Sequence, residues 1–107
     1  MIEGLFKATY GTQIGQGIAV VTLRDGVIQG GDAALYYTGT YHEDGGKFVA
    51  DFQTARHTAG MMNVFGKDNV RVHLEGTVAG DVVNGMGTSP DAPGAAFALR
   101  LDRLKPL

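Results

Sequence analysis

The chain has 107 residues, 44% of them hydrophobic and 19% charged, which fits one domain with a single core and is too apolar for a disordered tail. A formal net charge of −2, with nine basic residues scattered from Lys7 to Lys105, excludes the concentrated basic face that phosphate-backbone binding needs. The absence of cysteine excludes disulfides, thiolate catalysis and cysteine metal sites.

Seventeen glycines punctuate short segments rich in Val, Ala, Phe, Tyr and Thr, the spacing of consecutive strands and turns. The first segment, Gly4 to Tyr10, sets Phe6, Ala8 and Tyr10 against Lys7 and Thr9. The second, Gln16 to Arg24, sets Gly17, Ala19, Val21 and Leu23 against Gln16, Thr22 and Arg24. Asp25-Gly26 supplies the positive-φ positions of a tight hairpin into a third segment, Val27 to Gln29, which ends at Gly30-Gly31-Asp32.

The fourth segment runs from Leu35 to His42, and Glu43-Asp44-Gly45-Gly46 turns it into a fifth, Lys47 to Arg56, with Phe48, Ala50 and Phe52 in one phase. His57 to Asn69 breaks the alternation and reads as a loop, whose Met61, Met62, Val64 and Phe65 suit a plug at one barrel end or, as the second choice, a lid. The sixth segment, Val70 to Ala79, places Val70, Val72, Leu74, Gly76 and Val78 opposite Arg71, His73, Glu75 and Thr77. Gly80-Asp81 leads to a seventh, Val82 to Thr88, and the Pro90 to Gly94 stretch separates that from an eighth, Ala96 to Arg103.

Strand after strand joined by short turns predicts an all-β fold: a small up-and-down antiparallel barrel of about eight strands, lipocalin-like, spanning residues 1–107 as one domain. Its interior is expected to hold Phe6, Val21, Tyr41, Phe48, Phe52, Val72, Leu74, Phe97 and Leu101. Small residues such as Ala8 share that face, so an incompletely filled interior would be a ligand cavity lined by Phe6, Ala8, Tyr41, Phe48, Phe52, Leu74 and Phe97. Ile18 and Val20 interrupt the polar phase of the second segment, which predicts an outward apolar patch and a symmetric dimer.

No motif organises a reaction. Gly15-Gln16-Gly17 enters a strand instead of leaving one, so it is not a nucleotide loop. His42, His57 and His73 lack metal-ligand spacing, and Ser89 lacks a nucleophile-elbow setting. Asp32 reads as turn chemistry first and as a ligand-facing carboxylate second. The expectation is a non-enzymatic binding protein without cofactor or metal. No apolar run reaches a membrane span and Met1 to Gly4 opens no signal-peptide pattern, so a cytoplasmic location is expected.

Gly15-x-Gly17, Asp25-Gly26-x-Ile28-x-Gly30-Gly31-Asp32, Tyr37-x-Gly39-x-Tyr41 and Glu43-Asp44 together resemble the family of GrlR-type negative regulators of type III secretion, most densely from Gly15 to Phe52. The resemblance implies a lipocalin-like barrel, a tendency to dimerise, and sequestration of a transcriptional activator through protein contact. An acidic run follows the Tyr-x-Gly strand in that family and contributes to the activator contact. Here the run is reduced to Glu43 and Asp44 before Gly45-Gly46, so this pair is the expected contact with a basic regulator. The alternative is a carrier or sensor holding a small apolar ligand inside the barrel.

Overall fold

Alternating apolar and polar residues, repeated along the whole chain, need a sheet with one dry face, and a sheet closed on itself provides it. In the computed structural model, which describes residues 1–12, 15–60, 67–94 and 96–107, the chain forms that barrel. Its strands are β1 (Gly4–Gly11), β2 (Gln16–Arg24), β3 (Val27–Gly31), β4 (Leu35–Asp44), β5 (Lys47–Arg56), β6 (Arg71–Ala79), β7 (Val82–Thr88) and β8 (Phe97–Lys105). Each pairs antiparallel with the next, and β1 pairs with β8 to close the ring. The order is the predicted up-and-down meander.

Turn chemistry sets the hairpins. Asp25 and Gly26 have φ of 52° and 79°, and Gly45 and Gly46 have 58° and 86°, the paired positive values of a type I′ turn. Glu43 and Asp44, expected in the second of these turns, instead belong to β4 and pair with Phe48 and Lys47. The two glycines alone satisfy the turn, so the strands run on to meet them.

The expected interior phase is observed: Phe6, Val21, Tyr41, Phe48, Val72, Leu74, Phe97 and Leu101 are all buried. Outward positions carry Lys7, Asp51, Arg71, Glu75 and Arg100, a polar-out wall that is the reverse of a transmembrane barrel. Among the described residues no helix is long and apolar enough to cross a membrane.

Phe52 points inward but is only half-buried, bridging the main core and a smaller cluster of Val70, Val72 and Phe97. Phe48, by contrast, is fully buried and stacks on Tyr41 with ring centroids 5.7 Å apart. Phe48→Ala should therefore cost about 3–5 kcal/mol, and Phe52→Ala roughly half as much. Urea denaturation of both variants checks this; equal losses would place Phe52 in the packed core.

Candidate functional site

The barrel has two unlike ends. At the end where β1 runs into β2 and β3 into β4, the short third strand stops at Gly31 and Asp32 turns the chain, its backbone N–H donating to the Leu35 carbonyl at 2.9 Å. The Asp32 carboxylate stabilises that turn through Oδ1, which accepts from the N–H groups of Ala34 and Leu35, both at 2.8 Å. Its Oδ2 accepts hydrogen bonds from the hydroxyls of Tyr10 and Tyr37. The two hydroxyls lie 2.8 Å apart, and their rings meet edge to face.

This arrangement couples the ionisations. Burial raises the Tyr10 and Tyr37 phenols, and the neighbouring Asp32 carboxylate raises them further. Burial would raise Asp32 as well, but the Tyr10 and Tyr37 hydroxyls and the Leu35 and Ala34 N–H groups outweigh it and leave the carboxyl below its ordinary range. His57 closes the same rim, its Nε2 lying 2.8 Å from the Asp32 carbonyl oxygen and its N–H donating to the Ala34 carbonyl at 2.9 Å.

Below the tyrosines lies an apolar cavity of about 30 Å³, lined by Ala8, Val21, Ile28, Phe52, Leu74, Phe97, Leu101 and neighbouring residues. Four of the seven residues expected around a cavity, Ala8, Phe52, Leu74 and Phe97, do line it. Phe6, Tyr41 and Phe48 do not: they are packed into the opposite half of the barrel. That space is far below the several hundred Å³ of a ligand pocket. Met61, Met62, Val64 and Phe65, the expected plug or lid, lie outside the described residues.

The other end is closed by the N-terminus. Ile2 is buried, its carbonyl accepts from the Tyr41 hydroxyl at 2.7 Å, and its N–H donates to Glu43 Oε1 at 2.6 Å. Arg103 lies over the Phe6 ring, 5.6 Å from its centroid, and donates to Asp81 at 2.9 Å. Glu43 is thus half-buried and engaged in anchoring the first residues, not free at a hairpin tip; Asp44 alone of the expected pair is exposed. Two acids from elsewhere join this end: Glu3 accepts from the Asp25 N–H at 2.9 Å, and the charges of Glu3, Asp25 and Glu43 all act on Tyr41, whose phenol burial and these carboxylates raise.

The outer wall carries Ile18 and Val20, 65% and 45% exposed, as their phase requires. Farther round the wall, His73 Nδ1 lies 2.7 Å from Asp51 and Nε2 3.1 Å from Glu75, and the two carboxylates raise its pKa. Arg71 grips Asp91 with both its side chain and its backbone N–H and holds that carboxyl down at about 2. That pair fastens the connection between β7 and β8 to the start of β6. Among the described residues no group of three or more His, Asp or Glu side chains gathers where a metal could sit.

No protein-family model and no curated protein matches this chain.

Sequence reading placed Tyr10 in the inward phase of the first segment and Asp32 in a turn, but did not join them to Tyr37. The joining signal was available: a tyrosine buried in a barrel needs a partner for its hydroxyl, and Asp32 stands at the strand end between the two. The acidic end was less legible, because Glu3 comes from the N-terminus, Asp25 from the β2–β3 turn and Asp44 from the end of β4.

Proposed function

We propose that this chain is a non-enzymatic binding protein that works through its outer surface, as a GrlR-like negative regulator that holds a transcriptional activator by protein contact in the cytoplasm. The supporting observation is how little interior space the described residues enclose: about 30 Å³ among the apolar lining, little for a carried ligand to occupy. Recognition then falls to the wall and the ends. The exposed carboxylates of Glu3, Asp25 and Asp44 at the N-terminal end form the face that suits a basic regulator, with Asp44 retained from the expected pair and Glu43 withdrawn into the barrel end.

The test neutralises Asp25 and Asp44 together as Asn, which tolerates the positive φ of position 25 as Asp does. Binding of purified protein to the basic activator of the host's type III secretion genes is followed by biolayer interferometry across a salt series. The double variant should associate several-fold more slowly at low salt, show a flatter salt dependence, and melt within a few degrees of the parent. A parent protein that does not bind the activator overturns the reading; equal rates for parent and variant overturn the assignment of this face.

A further inference from the structure

The outer wall of a barrel is convex, so a hollow on it needs a rim. Across β4, β5 and β6 the wall has one: a shallow groove of about 420 Å³ lies there, bounded by Pro90 of the connection between β7 and β8. Asp91 holds that rim in place. It accepts from the Arg71 side chain and backbone N–H, its own N–H donates to Ser89 Oγ at 3.0 Å, and its carbonyl accepts from Lys67 Nζ. The volume lies in the range of small-molecule sites, which the interior cavity does not reach.

Register sets what faces the groove. Thr38 pairs with Gln53 and Gln53 with Arg71; one row on, Thr40 pairs with Asp51 and Asp51 with His73. All six line the groove from the outward phase of their strands. Neighbouring strands stand about 4.8 Å apart and alternate residues along a strand about 6.7 Å, so the two rows cover roughly 10 by 7 Å. One pyranose ring with its hydroxyls spans such an area.

The hydroxyls of Thr38 and Thr40 and the Gln53 amide make no hydrogen bond with any described residue, and each can both donate and accept. His73 Nδ1 holds Asp51 Oδ1 at 2.7 Å, which leaves Oδ2 as a further acceptor. The cations at the margin are matched within the protein: Arg71 by Asp91, Lys47 by Glu75, and His73 by its place between Asp51 and Glu75. An anionic ligand therefore finds no unmatched cation, and an uncharged one whose groups donate and accept at once is the better fit. Past Thr38 and Gln53 the wall continues into a second hollow lined by Tyr36, 47% exposed, whose ring face attracts C–H groups.

We infer that this groove is a binding site for a neutral sugar, seated on Thr38, Thr40, Asp51 and Gln53, with Tyr36 placed to stack against an adjoining ring. Each sugar hydroxyl replaces a water molecule on these side chains one for one, so the net gain per bond is small and a single sugar binds weakly. The site lies on the wall and does not depend on the activator contact at the N-terminal end.

The test is an NMR titration of the isotope-labelled chain with glucose, galactose, mannose and N-acetylglucosamine, each as the monosaccharide and as a linear trisaccharide. At least one should shift the amides of residues 38–40, 51–53 and 71–73, with a Kd of about 1–10 mM for the monosaccharide. Thr40→Val with Gln53→Ala removes bonding groups that no protein contact uses, so binding should weaken by about tenfold or more while the melting temperature holds. Thr77→Val, exposed on β6 outside the groove, should bind as the parent does. Should the double variant lose its fold, Gln53→Asn, which withdraws the amide by one methylene, takes its place. A trisaccharide that binds about tenfold tighter than its monosaccharide, with the gain lost in Tyr36→Ala, assigns the groove to a glycan chain; equal affinities assign it to a free sugar. No amide shift with any of these compounds at about 100 mM, shifts confined to other parts of the barrel, or equal affinity in parent and variant would each overturn the proposal.

Discussion

Gly39→Ala is expected to destabilise the barrel by about 3 kcal/mol or more, a fall in melting temperature of roughly 10–20 °C. Gly39 lies on the inner face of β4 opposite Phe52, and a Cβ there would sit 2.1 Å from the Asp51 carbonyl oxygen and 2.5 Å from the Phe52 Cα. Those are backbone atoms and cannot rotate aside, so two strands would have to separate. The cost is one of space: elsewhere in a strand, replacing glycine by alanine gains about 0.5–1 kcal/mol from reduced unfolded-state freedom. Gly15 is the control, with no atom of the described residues within 4 Å of its Cβ position and no positive φ, and Gly15→Ala should change stability by less than about 0.5 kcal/mol. Urea melts of the pair decide the matter. Similar midpoints for both variants would mean that β4 and β5 do not approach so closely.

That crowding explains much of what the sequence showed and what it hid. The alternation gave strand identity and phase, since a residue on the dry face must be apolar and its neighbours polar, and all eight strands fall within a few residues of their expected limits. Small residues on the inward phase, glycine as well as Ala8, suggest in the linear pattern an incompletely filled interior. In the barrel it is the opposite: Gly17 lies under the Tyr10 ring, Gly87 under the Phe97 ring, and Gly39 beside Phe52, each pair directly opposite across two strands. The aromatic occupies the room that the glycine vacates, which also lets the strands coil tightly enough to close. Cross-strand partners are not visible in a linear pattern until register is known. The same limit hid the roles of Glu43 and Asp32, whose partners Ile2, Tyr10 and Tyr37 lie 41, 22 and 5 residues away along the chain.

The second large effect is expected at Asp32, and it gives the stability a particular pH profile. Asp32→Ala withdraws the acceptor of two backbone N–H groups and two tyrosine hydroxyls. An orphaned buried donor costs about 1–3 kcal/mol, but water reaches the turn and the two hydroxyls, 2.8 Å apart, still satisfy one proton between them. The net loss should be about 3 kcal/mol. Asp32→Asn keeps the turn acceptor and should lose about half of that. The signs for pH follow from the directions of the shifts. Asp32 is depressed in the folded barrel, so its contribution is present above the unfolded carboxylate pKa and disappears as pH falls through the folded value. Tyr10 and Tyr37 are raised, so theirs is complete below the unfolded phenol pKa of about 10 and is lost as pH climbs beyond it. Unfolding free energies from urea titrations between pH 2 and 11 should therefore show an acid limb that flattens in Asp32→Ala. The alkaline limb should flatten in Tyr10→Phe/Tyr37→Phe, with the remaining slope carried by the raised Tyr41. An alkaline limb as steep in the double phenylalanine variant as in the parent would show that these hydroxyls are not held by Asp32 in the folded barrel.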